Sequence, residues 1–136
     1  FERPWIDVPP RPGKAPGAFA HPTVTDAHPF VLLNYLGKPR DVMTLAHELG
    51  HGVHQWLARD QGPLLAPTPL TLAETASVFG EMLTFKALIA ATRDPKERKA
   101  MMAGKVEDML NTVVRQIALF EFEEAVHVEG LQEGQG

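Results

Sequence analysis

Two histidines four residues apart, with a glutamate directly after the first, stand at His47-Glu48-Leu49-Gly50-His51. On an α-helix such histidines share a face and lie about 6 Å apart along the axis, so one metal ion can sit between the imidazoles. Glu48 is offset by about 100° and points along the side of that face, where it reaches a water activated by the metal rather than the metal. H-E-x-x-H on a helix is the pattern in which two histidines bind zinc and the glutamate acts as general base in hydrolysis.

The surrounding stretch, Asp41 to Leu57, is expected to be that helix. Asp41 reads as its N-cap, and Pro39 closes off any earlier helix. At 100° per residue, Val42, Leu45, Ala46, Leu49, Val53, Trp56 and Leu57 form an apolar sector; Thr44, His47, His51, His54 and Ala58 form the opposite one. The first sector is expected to face a core and the second to carry the chemistry. The competing reading is a chance motif with surface histidines. It is disfavoured by the placement of both rings on the polar side of an amphipathic helix.

A catalytic zinc takes three protein ligands and keeps one position open. The chain has no cysteine, so the third ligand is a histidine or a carboxylate. A metzincin would need glycine at 54 and histidine at 57, where His54 and Leu57 stand. His54 shares the face of His47 and His51 but lies about 4.5 Å beyond His51 along the axis. Three ligands in a row do not surround a tetrahedral ion, so His54 is placed in the cleft lining.

A carboxylate from a later helix fits better. Residues from about Thr71 to Ala91 predict a second helix that is apolar nearly all round, through Leu72, Ala76, Val78, Phe79, Met82, Leu83, Phe85 and Ile89. Such a helix is expected to be buried. Glu74 and Glu81, seven apart, share one narrow sector of it, and a buried carboxylate without a partner is costly. A metal ion is one partner that removes the cost. Thr71-x-x-Glu74 also has the form of a capping box, which is the structural alternative for Glu74. The spacing allows either glutamate to be the ligand, with the other accepting a proton from a ligating ring, and Glu74 is the candidate that the resemblance given below and the loop length favour.

The remaining elements frame these two helices. Trp5–Val8 and Ala18–Ala20 read as short extended pieces, separated by a loop over 9–17 that is rich in proline and glycine. His21 and His28 each precede a proline and are taken as structural. Phe30–Tyr35 is an apolar run of a length suited to a buried strand. Leu36-Gly37-Lys38-Pro39 turns the chain into the His helix, and residues 58–70 form a second loop.

Asp94-Pro95 caps and starts a third helix, with Glu97 completing a capping box. Met102, Val106, Met109, Leu110, Val113, Ile117 and Phe120 recur at helical spacing toward Val128. These methionines are expected to pack in a core, and Glu121, Glu123, Glu124 and Glu129 to form a solvated end. The fold class is therefore mainly α with a small β element (α+β).

With 136 residues and 44% apolar content, the chain has enough for one domain with a core. A net charge of −4 and the lack of a basic face argue against nucleic acid as a partner. No run of membrane-spanning length and no signal peptide is visible, so a cytoplasmic location and no membrane partner are expected. The chain starts at Phe1 without a methionine and ends in a Gly/Gln/Glu tail, which reads as a fragment of a larger protein.

Two segments, Thr44–His54 (TLAHELGHGVH) and Leu72–Glu81 (LAETASVFGE), resemble the two signature segments of oligoendopeptidase F, the bacterial branch of the thimet-oligopeptidase-like zinc metallopeptidases. Pro29–Tyr35 and the pattern Asp7-Val8…Arg11-Pro12-Gly13-Lys14…Gly17-Ala18-Phe19 are similar to the same family. The resemblance implies one Zn2+ per chain, held by His47, His51 and Glu74, with Glu48 as general base. It implies a zincin-like (gluzincin) catalytic core over residues 1–136, one partial domain of a two-lobed and mostly helical enzyme. The implied reaction is endopeptidase cleavage of short oligopeptides by a zinc-activated water. The segment at Gly17–Phe19 would pair with substrate backbone. Family members also carry a helical N-terminal region and downstream His and Tyr residues, neither of which is in this chain. Two alternatives remain, a related zinc carboxypeptidase or dipeptidase and a non-catalytic helical interaction module.

Overall fold

The structure is a computed structural model and describes residues 3–130. The polar tail from 131 onward, read above as a cut end, and the side chain of Glu129 lie outside the described residues. The architecture is mainly helical with one small sheet. The chain divides into two compact units, residues 1–88 and 89–136.

The first unit begins with the sheet. Strands β1 (Ile6–Asp7) and β2 (Phe19–His21) flank β3 (Phe30–Leu32), β1 parallel and β2 antiparallel to it. The regular part of β3 is shorter than the apolar run, yet backbone pairing follows the run to its end. Val31, Leu33 and Tyr35 donate N–H to Trp5, Asp7 and Val8 carbonyls at 2.9, 3.0 and 3.1 Å. Period-two alternation puts Val31 and Leu33 on the same face, and these two are the buried apolar side chains among the described residues. The larger core that the composition led one to expect is not seen among the described residues.

Gly37, with φ of 84°, supplies the left-handed turn that leads out of β3's extended stretch. Helix α1 (Pro39–Ala58) then starts two residues before Asp41. Lys38 is the N-cap and Pro39 opens the helix, where its missing N–H costs nothing. Asp41 sits in the first turn instead of capping it. Its carboxylate accepts the backbone N–H groups of Leu36 and Lys38 at 2.8 and 2.9 Å, which holds it below the ordinary carboxylate range.

Helix α1 packs on β2 and β3 through the face that carries Glu48 and Gly52, both buried. An added Cβ at Gly52 would already touch Val31 and Pro29 at 3.8 and 3.9 Å. The expected core sector is turned away at its C-terminal end: Val53, Trp56 and Leu57 are 59, 40 and 67% exposed. The Arg59 guanidinium lies over the Trp56 ring at 3.7 Å and shields part of it. Small residues, not large apolar ones, decide which face of α1 is packed.

A short 3-10 turn (Arg59–Gln61) and a proline-rich loop lead to α2 (Leu70–Ala91), one residue longer than expected. Thr71 lies inside this helix, so it does not cap it. Burial on α2 is confined to Ser77; Leu72, Val78, Phe79 and Leu83 are exposed, contrary to the expected all-round burial.

In the second unit, α3 (Pro95–Glu124) is capped as expected, with Asp94 Oδ1 accepting the Lys96 N–H at 2.9 Å. The helical path continues through a π turn (Ala125–Glu129). No residue of α3 is buried, and Met102 and Met109 are exposed rather than packed in a core. No described helix is long and apolar enough to cross a membrane.

Candidate metal centre

The site is built where α1 and α2 come closest. Their approach is set by two glycines. A Cβ at Gly50 would lie 2.5 Å from the Ala76 carbonyl oxygen, and one at Gly80 would lie 2.8 Å from that of Ala46. Each glycine admits the other helix's backbone, a distance no larger residue permits. Across this contact α1 presents His47 and His51, and α2 presents Glu74 and Glu81.

Three donor atoms converge. His47 Nε2 and His51 Nε2 are 3.1 Å apart, and Glu74 Oε2 lies 3.2 Å from the first and 3.5 Å from the second. These residues form the candidate metal-binding group among the described residues. A tetrahedral zinc with bonds of about 2.0–2.1 Å has ligand–ligand edges of about 3.3–3.4 Å. The observed triangle brackets that value. Two ring nitrogens and a carboxylate oxygen this close bring lone pairs together, and a shared cation is the partner that turns their repulsion into attraction.

Neighbouring groups fix the orientation of each donor. His47 Nδ1–H donates to Glu81 Oε1 at 2.7 Å, which leaves the His47 Nε2 lone pair aimed at the other two donors. The Ser77 hydroxyl donates to Glu74 Oε2 at 2.7 Å and lies 3.0 Å from the Glu74 backbone carbonyl. Glu74 is thus engaged with the histidines and with Ser77, not in the capping box its sequence context allows. Its side chain is 61% exposed, so it closes the site on the solvent side.

Glu48 points out of this triangle toward the sheet and is 7% exposed. Burial pushes its carboxyl above the ordinary value; His47, His51 and the Ala20 backbone N–H oppose that rise. The edge strand β2 therefore meets the Glu48 carboxyl directly. Ala20 also accepts from Gln55 Nε2 at 3.2 Å, and Gln55 Oε1 is buried without a partner among the described residues.

Together these groups line a cleft of about 480 Å³. Its walls come from α1 (His47, Glu48, His51, His54), from Ala18–Ala20, from the 66–68 loop and from Ala73 and Glu74. His54 lines this cleft and is not one of the three converging donors. Sequence reasoning missed Ser77, Ala20 and Gln55. Of these only Ser77 leaves a trace in the sequence, as a hydroxyl one helical turn after Glu74. Ala20 contributes through its backbone, which no residue type announces.

The arrangement can hold one divalent ion, keep its fourth side open to the cleft, and set a buried carboxylate next to it. Oligoendopeptidase F, chromosomal, of Lactococcus lactis subsp. cremoris is 36% identical over 128 residues, 93% of this chain and 21% of the relative. Oligopeptidase PepF of Bacillus subtilis is 32% identical over 136 residues, 99% of this chain and 20% of the relative. This chain thus spans about a fifth of the length of the curated relatives it matches. Among solved structures, one from Chlamydophila abortus superposes with a TM-score of 0.76 at 32% identity, covering 96% of this chain and 22% of the other. PZ peptidase A shares the fold at a TM-score of 0.75 and 23% identity, over 90% of this chain and 22% of its own. The sequence profile of peptidase family M3 matches residues 1–135. The chain belongs to peptidase family M3.

Proposed function

We propose that this chain is the catalytic core of a zinc metalloendopeptidase that hydrolyses short oligopeptides. The observation that carries the reading is the triangle of His47 Nε2, His51 Nε2 and Glu74 Oε2, with edges of 3.1, 3.2 and 3.5 Å. His47, His51 and Glu74 hold the ion and Glu81 orients the His47 ring. A zinc ion held there supplies Lewis acidity to the scissile carbonyl and lowers the pKa of water.

The chain's own residues do the rest. Glu48 takes a proton from the attacking water on a carboxylate oxygen and returns it to the nitrogen of the leaving amine. Its burial, which raises its pKa, strengthens it as an acceptor. The chain at Ala18, which lines the cleft just before β2, suits pairing with an extended peptide backbone. The exposed apolar side chains of α2 and α3 are covered by the remaining lobes of a longer, mostly helical enzyme.

Zinc content and peptide cleavage by the full-length enzyme test this. About one zinc per chain is expected, lost in Glu74→Ala and retained with ~10- to 100-fold weaker affinity in Glu81→Ala. Glu48→Gln is expected to keep zinc and to lose ~10²- to 10⁴-fold in kcat. A Glu48→Gln enzyme as active as wild type removes Glu48 from the mechanism. Absence of zinc after metal loading removes the centre itself, and cleavage only at peptide termini would reassign the enzyme to an exopeptidase.

A further inference from the structure

One buried charge lies away from the metal centre. The Lys14 side chain is 1% exposed, and its ammonium sits among oxygens drawn from three segments. Nζ donates to the carbonyls of Asp7, Pro9 and Leu33 at 2.9, 3.0 and 2.8 Å and lies 3.1 Å from Asp7 Oδ1. Burying an ammonium is costly unless all its protons are taken, and here three carbonyls and a carboxylate take them. A lysine at this loop position would be cheaper in water. What the buried one achieves is geometric: it ties the 9–17 loop to the ends of β1 and β3.

Asn34 completes the tie from the other side. Its Nδ2 donates to both Ala15 and Gly17 carbonyls at 3.0 Å. Residues 14–17 are therefore fixed at both ends against the extended run that follows β3, and β2 begins two residues later at Phe19. These hydrogen bonds of Lys14 and Asn34 join the 9–17 loop to the ends of β1 and β3. Their hold is on the loop that leads into β2.

That strand forms one wall of the cleft through Ala18, Phe19 and Ala20. Val31 and Leu33 direct their N–H groups to β1, so Phe30 and Leu32 face β2 and pair with His21 and Phe19. Alternation then turns the N–H and C=O of Ala20 away from β3 and toward α1, where they meet Glu48 and Gln55. Ala18, one residue before β2, lines the cleft.

We propose that Lys14 and Asn34 are positioning residues that hold the chain leading into β2 at Ala18, a wall of the cleft, in place for an extended peptide substrate. The inference rests on the peptidase reading above. Glu48 accepts the N–H of Ala20, which lies between the β3-paired residues Phe19 and His21 and beyond the 14–17 tie, so loss of the tie falls first on the chain at Ala18 and on substrate binding there.

The experiment is steady-state cleavage of a defined oligopeptide by the full-length enzyme, with zinc content measured on every sample. Lys14→Met is expected to raise KM by ~10-fold or more and to change kcat by less than ~3-fold, at unchanged zinc content. Asn34→Ala, which removes two bonds at a half-buried position, is expected to raise KM by ~3-fold or more in the same way. If Lys14→Met does not fold, Asn34→Ala decides alone. Unchanged KM in the folded variants overturns the proposal, as does a fall in kcat or zinc with KM unmoved, which would mark a structural role only. A zinc-loaded wild type that cleaves no peptide overturns the peptidase reading itself, and is told apart by the wild-type control.

Discussion

Replacing Gly50 by alanine is expected to open the metal triangle while leaving both helices formed. The added Cβ would lie 2.5 Å from the Ala76 carbonyl oxygen, 2.7 Å from Ser77 Cα and 3.0 Å from the Ala76 carbonyl carbon. All three are backbone atoms of α2, so no side chain can swing aside. Ordinary contact begins at 3.4 Å, and the helices must part locally by about 1 Å to restore it. Metal–ligand distances tolerate only about ±0.2 Å. His47 and His51 move with α1 and Glu74 with α2, so the separation falls directly on the two His–Glu74 edges of 3.2 and 3.5 Å.

Two effects of opposite sign compete in this substitution. Alanine favours an isolated helix over glycine by ~0.8–1.0 kcal/mol, whereas overpacking a close contact costs ~1–3 kcal/mol. Helix content should therefore hold while zinc affinity falls by ~10- to 100-fold, the loss typical of a disturbed ligand shell. Gly80→Ala, whose Cβ would meet the Ala46 oxygen at 2.8 Å, is expected to lose less. Gly104→Ala on α3 has nothing within 4 Å of its Cβ and serves as the control, with unchanged zinc affinity. Competition against a chromogenic chelator gives the affinities and far-UV circular dichroism the helix content. Wild-type affinity in Gly50→Ala, or a larger loss in Gly80→Ala than in Gly50→Ala, would refute the reasoning.

Three further outcomes are expected. Ser77→Ala removes the hydroxyl that holds Glu74 Oε2 and should weaken zinc binding by ~10-fold with the helices intact, read by the same chelator competition. Asp7 is held down to about 2 from an ordinary 3.8, first by its bonds with Arg11 and then by Lys14. Because the folded value is the lower one, Asp7 stabilises the fold above about 4, and that contribution is lost as pH falls toward about 2. Denaturant midpoints of Asp7→Asn should therefore depend less on pH across that window; an unchanged slope would discount the Arg11 pair. Asp41→Ala leaves the Leu36 and Lys38 N–H groups without their acceptor and should lower the unfolding midpoint, whereas Asp41→Asn, which keeps an acceptor oxygen, should recover most of it.

What the sequence made legible follows from how each group contributes. His47 and His51 contribute side chains at a fixed helical spacing, and Glu74 and Glu81 do the same two turns apart, so periodicity alone aligned both pairs. The facing of α1 was misread for a related reason. Apolar patterning assumes that large side chains seek the interior, but here Gly50 and Gly52 set the packed faces by what they lack. A Cβ added at Gly50 would lie 2.5 Å from the Ala76 carbonyl oxygen and one at Gly52 3.8 Å from a Val31 methyl, approaches that a hydropathy pattern does not encode. With α1 held at those two contacts, Val53, Trp56 and Leu57 are left outward, and the apolar residues of α2 are left outward with them.

The Lys14 cage and the Ala20 edge were illegible for a different reason. Their partners are main-chain carbonyls and amides, which every residue carries, so neither the acceptors at Asp7, Pro9 and Leu33 nor the donor at Ala20 leaves a mark in residue type. The triangle of His47, His51 and Glu74 is thus written in side chains on two regular helices. The wall beside it is written in the backbone of a three-residue strand and of the loop before it, which is tied to β1 and β3 by a lysine that the sequence presents as one more charge. On the proposed reading the labour divides accordingly: side chains with a readable period would supply the chemistry, and unreadable backbone contacts would fix where a substrate lies.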